Sequence, residues 1–198
     1  MFVTFEGLDG SGKSTQAELL AAELRGRGRE VVLTREPGGT ELGERVRELL
    51  LAGGDVSAWA EAALFAAARA ELVERVIRPA LGRGADVVCD RYVDSSLAYQ
   101  GIARGLGVDR VLELNRPAIG GLLPDRTFLL LVDAEVAGWR TGDELDRIER
   151  EGVDFRARVE GAYEELAHTF ADRIVAVDGS LPREEIAAHV AGQVRQLS

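Results

Sequence analysis

The sequence has few cysteines, histidines and basic residues, and each shortage excludes a class of protein. Its single cysteine, Cys89, makes an intrachain disulfide impossible and is typical of a reducing compartment. His168 and His189 are too isolated to form a metal site. The sequence has 24 Lys and Arg and 34 Asp and Glu. The resulting net charge of −10 argues against nucleic acid or an anionic membrane surface as the main partner. An anionic substrate must therefore be held by a few clustered arginines.

Long apolar runs are also missing. No run of about 18 apolar residues occurs, and Met1 opens directly onto an apolar segment, so we expect neither a transmembrane helix nor a signal peptide. The expected location is the cytoplasm. A chain of 198 residues, 46% hydrophobic and 29% charged, is typical of one globular domain, which we place at residues 1–198.

A phosphate-binding loop is present near the start of the chain. Gly7–Ser14 reads GLDGSGKS, which matches the pattern G-x-x-x-x-G-K-S, and it follows the apolar segment Phe2–Phe5 and precedes a helical pattern. Glycines let the backbone N–H groups point inward at phosphate oxygens, while Lys13 reaches the β- and γ-phosphates and Ser14 ligates Mg²⁺. The predicted ATP phosphate-binding residues are Gly7, Leu8, Asp9, Gly10, Ser11, Gly12, Lys13, Ser14 and Thr15.

Short apolar segments alternate with helical patterns along the whole chain. This alternation predicts an α/β fold of the P-loop NTPase type, with three layers: a five-stranded parallel sheet and helices on both of its faces. The predicted strands are 1–6, 30–34, 85–89, 126–133 and 173–177. Ligands of such sheets bind beyond the carboxyl ends of the strands, where the loops here begin at Gly7, Arg35, Asp90 and Asp133.

A second candidate site motif is Asp90-Arg91, directly after an apolar strand. In phosphate-loop enzymes an acid at this position helps to hold Mg²⁺, so Ser14 and Asp90 form the predicted metal site. The planar guanidinium of Arg91 suits a phosphate monoester. The alternatives are an aspartate that caps the next helix and an arginine in a surface ion pair.

Five segments together resemble the thymidylate kinase family, most closely its bacterial members. They are EGLDGSGKST, TREPGGTELG, LFAAARAELV, DRYVDSSLAYQG and LDRIE, and in order they cover nearly the whole chain. The phosphate loop alone indicates only a nucleotide-binding superfamily, whereas TREPGGT and the DRY segment are far more specific. The resemblance implies Mg²⁺-dependent transfer of the ATP γ-phosphoryl group to dTMP by a cytoplasmic homodimer.

The resemblance also implies a dTMP site. Phe65 would stack on the thymine ring, and Arg69, four residues later on the same helical face, would hydrogen-bond a thymine oxygen. Tyr99 would crowd a ribose 2′-hydroxyl. Spacing alone favours a core role for Phe65, and the isomer of the Glu36–Pro37 bond stays open. The implied dTMP-binding residues are Arg35, Glu36, Pro37, Phe65, Arg69, Arg91, Ser96, Tyr99 and Gln100.

The charged stretch at about 138–151 is predicted to be a short lid. Some family members carry an arginine inside the phosphate loop, where this chain has Gly10 and Ser11. The resemblance therefore implies a catalytic arginine from the lid, which here offers Arg140 and Arg147 and has fewer arginines than the bacterial relatives. A solvated charged helix start is the alternative. Asp9, an acid inside the phosphate loop, would cooperate in transfer. The predicted catalytic residues are Asp9, Lys13, Arg91, Arg140 and Arg147.

Two other functions remain as alternatives. Another small-molecule kinase on the same scaffold should lack the pair Phe65 and Arg69. A non-catalytic ATP-binding module should have lost Lys13, Asp9 or the Asp-Arg pair, and this sequence has all of them. For the implied homodimer, the apolar helical segment 58–77 is the candidate surface.

Overall fold

The computed structural model describes residues 1–52, 54–133, 136–137 and 146–197. Most of the predicted lid, Arg140 included, therefore lies outside the described residues. The described part contains five strands, which are β1 Phe2–Glu6, β2 Val31–Arg35, β3 Asp86–Asp90, β4 Arg126–Leu131 and β5 Ile174–Asp178. They form one parallel sheet in the order β2-β3-β1-β4-β5. The predicted five-stranded parallel sheet is confirmed.

Helices connect the strands throughout. They are α1 Lys13–Gly26, α2 Glu41–Leu51, α3 Ala58–Leu72, α4 Arg78–Gly82, α5 Val93–Ser96, α6 Val108–Ile119, α7 Val153–Thr169 and α8 Arg183–Val194. A π-helical turn, Val73–Ile77, carries the chain from α3 into α4, so the helical path continues past Pro79 to Gly82. A second π-helical turn, Leu97–Ala103, follows α5 and contains Tyr99 and Gln100. Among the described helices, none combines the length and apolar character needed to cross a membrane.

The sheet packs against helices on both faces. Val3 and Phe5 of β1 pack with α1 and α8, together with Phe128 of β4. Phe2, which points to the opposite face because side chains alternate along a strand, packs with the end of α3 and with Ile119 of α6. This alternation explains why the central strands read as unbroken apolar runs, and it confirms the predicted three layers.

Strand register brings three loops together at the carboxyl edge of the sheet. Phe5 pairs with Asp90, and Asp90 pairs in turn with Arg35. The loop residues continue this pairing, since the Arg91 N–H donates to the Phe5 carbonyl at 2.9 Å and the Glu36 N–H to the Asp90 carbonyl at 2.9 Å. The phosphate loop, the 36–40 loop and the 91–92 segment therefore start side by side, as the sequence predicted.

Candidate active site

The phosphate loop needs glycine at two positions where the chain approaches other backbone. Gly7 has φ of 134°, and a Cβ there would lie 2.4 Å from the Leu130 carbonyl oxygen. Gly10 has φ of 82°, and its Cβ would lie 2.2 Å from the Ala137 carbonyl oxygen. Gly12 caps α1 without a side chain, which leaves the first N–H groups of that helix directed at the loop. The loop can therefore bind an anion through backbone N–H groups.

Lys13, at the end of this loop, is buried. Its Nζ donates to the Leu8 carbonyl at 2.6 Å and lies 3.6 Å from Asp9 Oδ1. Burial, together with the nearby Arg91 charge, lowers the pKa of the Lys13 ammonium. A polyphosphate in the loop would supply strong anionic partners for this cation.

Asp9 and Arg91 form a charged pair between the phosphate loop and the 91–92 segment. Arg91 Nη2 donates to Asp9 Oδ1 at 2.6 Å, and Arg91 Nη1 donates to the hydroxyls of Ser95 and Tyr163 at 3.1 and 3.0 Å. Burial alone would raise the pKa of the Asp9 carboxyl, but Arg91 and Lys13 hold it well below its usual range. Asp9 is therefore ionised at neutral pH and keeps the guanidinium in place.

Ser14 and Asp90 provide oxygen ligands that suit a divalent cation. The Ser14 hydroxyl donates to Asp90 Oδ2 at 2.5 Å, and Asp90 Oδ1 is buried with no hydrogen-bond partner among the described residues. The described residues contain no group of three His, Cys, Asp or Glu side chains that could hold a metal by themselves. Mg²⁺ bound to phosphates commonly takes only one or two protein oxygens, so this pair fits it.

Two clefts meet at the Asp9–Arg91 pair. The larger, about 980 Å³, contains the phosphate loop and Asp90. The smaller, about 480 Å³, is lined by Pro37, Phe65, Ser96, Tyr99 and Gln100. Asp9, Arg91, Glu36 and Arg47 line both clefts. The arrangement can therefore hold a polyphosphate and a second, partly aromatic ligand with a shared arginine between them.

Comparison with known proteins identifies the family. A family model described as Thymidylate kinase matches residues 5–190. The chain belongs to the thymidylate kinase family. It is 52% identical over 194 residues to the thymidylate kinase of Leifsonia xyli subsp. xyli, covering 96% of this chain and 92% of the relative. It is 49% identical over 184 residues to the thymidylate kinase of Pelotomaculum thermopropionicum, and the match covers 90% of this chain and 85% of the relative. The resemblance drawn from the sequence motifs is confirmed.

Most of the residues that the family resemblance assigns to dTMP do share one cleft. Glu36, Pro37, Phe65, Arg91, Ser96, Tyr99 and Gln100 all line the smaller cleft. The Glu36–Pro37 bond, which the sequence left open, is cis. Arg35 lies instead at the rim of the larger cleft, where it pairs with Glu44 at 2.9 Å. Contacts of these side chains with a substrate stay predictions.

Arg69, which the resemblance assigns to a thymine oxygen, forms its contacts within the protein. It is fully buried, and its Nε and Nη2 contact Glu36 at 2.8 and 2.6 Å. Its remaining N–H groups donate to Ser96, Asn115 and the Tyr92 carbonyl. All five donors of the guanidinium are thus used within the protein. The structure places Arg69 behind the cleft wall, so a direct contact with a thymine oxygen would require one of these bonds to be exchanged.

Arg147, one of the two predicted lid arginines, also lies elsewhere. Its Nη2 donates to Glu61 Oε2 at 2.5 Å and its Nε to the Leu50 carbonyl at 2.7 Å. Both Glu61 and Arg147 are buried, and a buried carboxylate requires a cationic partner. In the structure the Arg147 guanidinium is therefore held by Glu61 of α3, and its predicted role toward the transferred phosphate stays a prediction.

Glu6 is a site residue that the sequence reasoning missed. It ends β1 and is 1% exposed, and its Oε1 accepts the N–H groups of Tyr92 and Ser95 at 2.8 and 3.2 Å. Its Oε2 accepts the hydroxyls of Ser95 and Tyr163 at 2.6 and 2.9 Å. The available signal was a glutamate at the end of an apolar strand, just before the phosphate loop. Tyr163 and Asn115, which contact Arg91 and Arg69, were missed as well. Their sequence positions gave little indication of a site role, since each falls at an ordinary core position of a helix.

Replacing Glu6 should destabilise the chain according to how many donors lose their acceptor. Glu6→Ala removes the shared acceptor of four buried donors, and we expect the free energy of unfolding to fall by about 3 kcal/mol or more. Glu6→Gln should cost about 1–2 kcal/mol, because its amide oxygen still accepts both N–H groups and the two hydroxyls can rotate.

Urea denaturation followed by circular dichroism measures both values. The exposed Glu48→Ala is the control and should change the free energy of unfolding by less than about 0.5 kcal/mol. Equal, small losses for Glu6→Ala and Glu48→Ala would contradict the role assigned to Glu6.

Proposed function

We propose that this chain transfers the γ-phosphoryl group of ATP to dTMP, which forms dTDP and ADP. Its membership of the thymidylate kinase family supports this reaction. The observation that carries the proposal is that the phosphate-loop cleft and the aromatic cleft share Asp9 and Arg91. A donor polyphosphate in one cleft and an acceptor monophosphate in the other would meet at this pair.

Arg91 is the proposed ligand of the acceptor phosphate. Its guanidinium is fixed by Asp9, Ser95 and Tyr163, so it is ordered before substrate binds. The planar fork can contact two phosphate oxygens at once. The acceptor oxygen is already anionic, so the reaction needs no strong general base. Positioning and charge stabilisation therefore supply most of the catalysis.

Phe65 and Tyr99 are the proposed contacts of the nucleoside. Both side chains line the smaller cleft, beside Pro37. Stacking of a base on an aromatic ring contributes roughly 1–3 kcal/mol, which is large for a ligand of this size. Tyr99 packs edge-on to Tyr163, with ring centroids 6.2 Å apart, and this contact supports its proposed role of crowding a 2′-hydroxyl.

Mg²⁺ is the proposed metal, held through Ser14 and Asp90. When bound by these two side chains, the ion would neutralise negative charge on the donor phosphates. The chain's own contribution is to present two hard oxygen ligands next to the loop, one of which, Asp90 Oδ1, is buried and unpartnered among the described residues. The homodimer and the cytoplasmic location implied by the resemblance stay predictions.

Arg140 and Arg147 stay the predicted sources of the cation that meets the migrating phosphoryl group, and in the structure the Arg147 guanidinium is held by Glu61. Arg140 lies outside the described residues and keeps its predicted role. Arg156 in the first turns of α7 is an additional candidate, because it lines a cleft of about 350 Å³ together with Leu8, Asp9 and Ala137. An arginine in this role raises phosphoryl-transfer rates about 10³–10⁵-fold in related reactions.

Acceptor specificity tests the reaction itself. With ATP and Mg²⁺, we expect ADP formation to be strong with dTMP, weaker with dUMP and absent with thymidine, which lacks the acceptor phosphate. Coupling ADP release to NADH oxidation measures the rates, with dCMP and dGMP as further acceptors. Turnover of another acceptor together with no response to dTMP would overturn the proposed substrate and keep the kinase reaction.

The metal site is tested by Asp90→Asn. The amide keeps the side-chain shape and removes the charge, so we expect the free Mg²⁺ concentration for half-maximal rate to rise about 10-fold or more. The exposed Asp109→Asn, in the first turn of α6, is the matched control and should leave the Mg²⁺ dependence unchanged. An unaltered Mg²⁺ titration in Asp90→Asn would show that Asp90 does not support the metal.

Arg156 is tested against its neighbour Arg158. We expect Arg156→Ala to lower kcat at least about 10-fold, because a cation near the transferred group is lost. Arg158→Ala is the control, since Arg158 lies over the Phe155 ring and donates to the Ala103 carbonyl, so its kcat should stay within about twofold. Equal values of kcat for the two variants would leave Arg140 and Arg147 as the candidate catalytic arginines.

A further inference from the structure

Glu61 in the first turn of α3 is a fully buried carboxylate outside the phosphate site. Its Oε1 accepts the Gln100 amide at 2.9 Å and Arg104 Nε at 2.6 Å. Its Oε2 accepts Arg104 Nη2 at 3.0 Å and Arg147 Nη2 at 2.5 Å. One carboxylate thus contacts two arginines and one of the residues that line the aromatic cleft.

The charge of Glu61 determines which way the Gln100 amide is turned. Burial alone would raise the pKa of the Glu61 carboxyl, but hydrogen bonds from Arg104, Arg147 and Gln100 lower it, so the group is ionised at neutral pH. An ionised carboxylate only accepts hydrogen bonds. The NH₂ group of Gln100 must therefore face Glu61, and the group that Gln100 can offer to the cleft is its amide oxygen Oε1.

An amide oxygen in the cleft distinguishes pyrimidines by the hydrogen on ring atom N3. Thymine and uracil carry that hydrogen and can donate it, whereas N3 of cytosine is an acceptor. Two acceptors facing each other in a desolvated cleft leave both without a partner, and such a mismatch can reject a ligand strongly. The orientation of one amide would therefore set the choice between bases.

We propose that Glu61 is a positioning residue for base selection, which holds the Gln100 amide with its oxygen toward the cleft and so favours a pyrimidine with hydrogen on N3. The proposal rests on the proposed function, since it concerns the acceptor of that reaction. Glu61 acts through Gln100 and does not itself line the cleft.

The same carboxylate joins the cleft to the described end of the predicted lid. Arg147, held by Glu61, also donates its backbone N–H to the Leu51 carbonyl at 2.9 Å. Its neighbours Asp146 and Ile148 line the aromatic cleft with Gln100. One buried carboxylate therefore contacts both Gln100 and the segment whose neighbouring residues line the same cleft.

Glu61→Gln tests the proposal because it keeps the side-chain volume and removes the charge. The new amide can donate as well as accept, so the Gln100 amide is no longer restricted to one orientation. We expect kcat/KM for dTMP to fall about 10-fold, chiefly through KM, and the ratio of kcat/KM for dTMP over dCMP to fall at least about 10-fold. Initial rates of ADP formation with the two acceptors measure both values.

Arg104→Gln is the matched control. It removes a different partner of Glu61 and leaves the Glu61–Gln100 contact, so the dTMP to dCMP ratio should match that of the unmodified chain even if the melting temperature falls. A Glu61→Gln variant that loses activity equally with both acceptors has a merely structural defect, and that result would overturn the proposal. Absence of dTMP turnover in the unmodified chain would instead overturn the proposed function.

A second measurement needs no variant and applies even where Glu61→Gln does not fold. The unmodified chain is assayed with dTMP methylated on N3, which cannot donate to an amide oxygen. We expect kcat/KM to fall at least about 10-fold relative to dTMP. Turnover of the methylated nucleotide at the rate of dTMP would overturn the proposal.

Discussion

The candidate site depends on the hydrogen bonds that Glu6 accepts at the end of β1. Its carboxylate binds the N–H groups of Tyr92 and Ser95, which fixes the chain directly after β3. Arg91 lies in that segment with φ of 69°, a left-handed conformation that a non-glycine residue adopts only where surrounding contacts stabilise it. The conformation directs the guanidinium at Asp9 of the phosphate loop. One buried acid thus determines the position of the arginine shared by both clefts.

Buried charges elsewhere in the site are also paired with groups of the protein. Arg69 pairs with Glu36, and Arg147 pairs with Glu61, and all four side chains are buried. Such pairs contribute little net stability, because desolvation offsets most of their attraction. Loss of one partner, however, leaves an uncompensated charge. The pairs therefore restrict the walls of the aromatic cleft to one arrangement, which is what recognition of a small, rigid base requires.

Local patterns predicted the sheet correctly and also indicated that the phosphate loop and the Asp-Arg pair follow strand ends, because glycine conformation, strand periodicity and strand-end position are properties of neighbouring residues. The positions of Arg69 and Arg147 were not predictable in this way. Each arginine stands at a position that the family resemblance assigns to the site. The direction of its guanidinium, however, depends on an acid far away in the sequence, Glu36 or Glu61. Spacing along a helix specifies the helix face on which a side chain lies. Whether its guanidinium points into a cleft or behind the cleft wall depends on the acidic partner on a neighbouring element.

The net negative charge of the chain is consistent with anionic substrates, because cations are concentrated at the phosphate loop. The net charge is −10, yet Lys13 and Arg91 converge on the phosphate loop with Asp9 between them. Asp9 neutralises part of their charge, and its pKa lies well below the usual range because both cations stabilise its ionised form. An incoming phosphate competes with this carboxylate for Arg91 and Lys13. Selectivity for a correctly placed phosphate follows, because a weakly positioned anion cannot replace a partner that already lies 2.6 Å from the guanidinium.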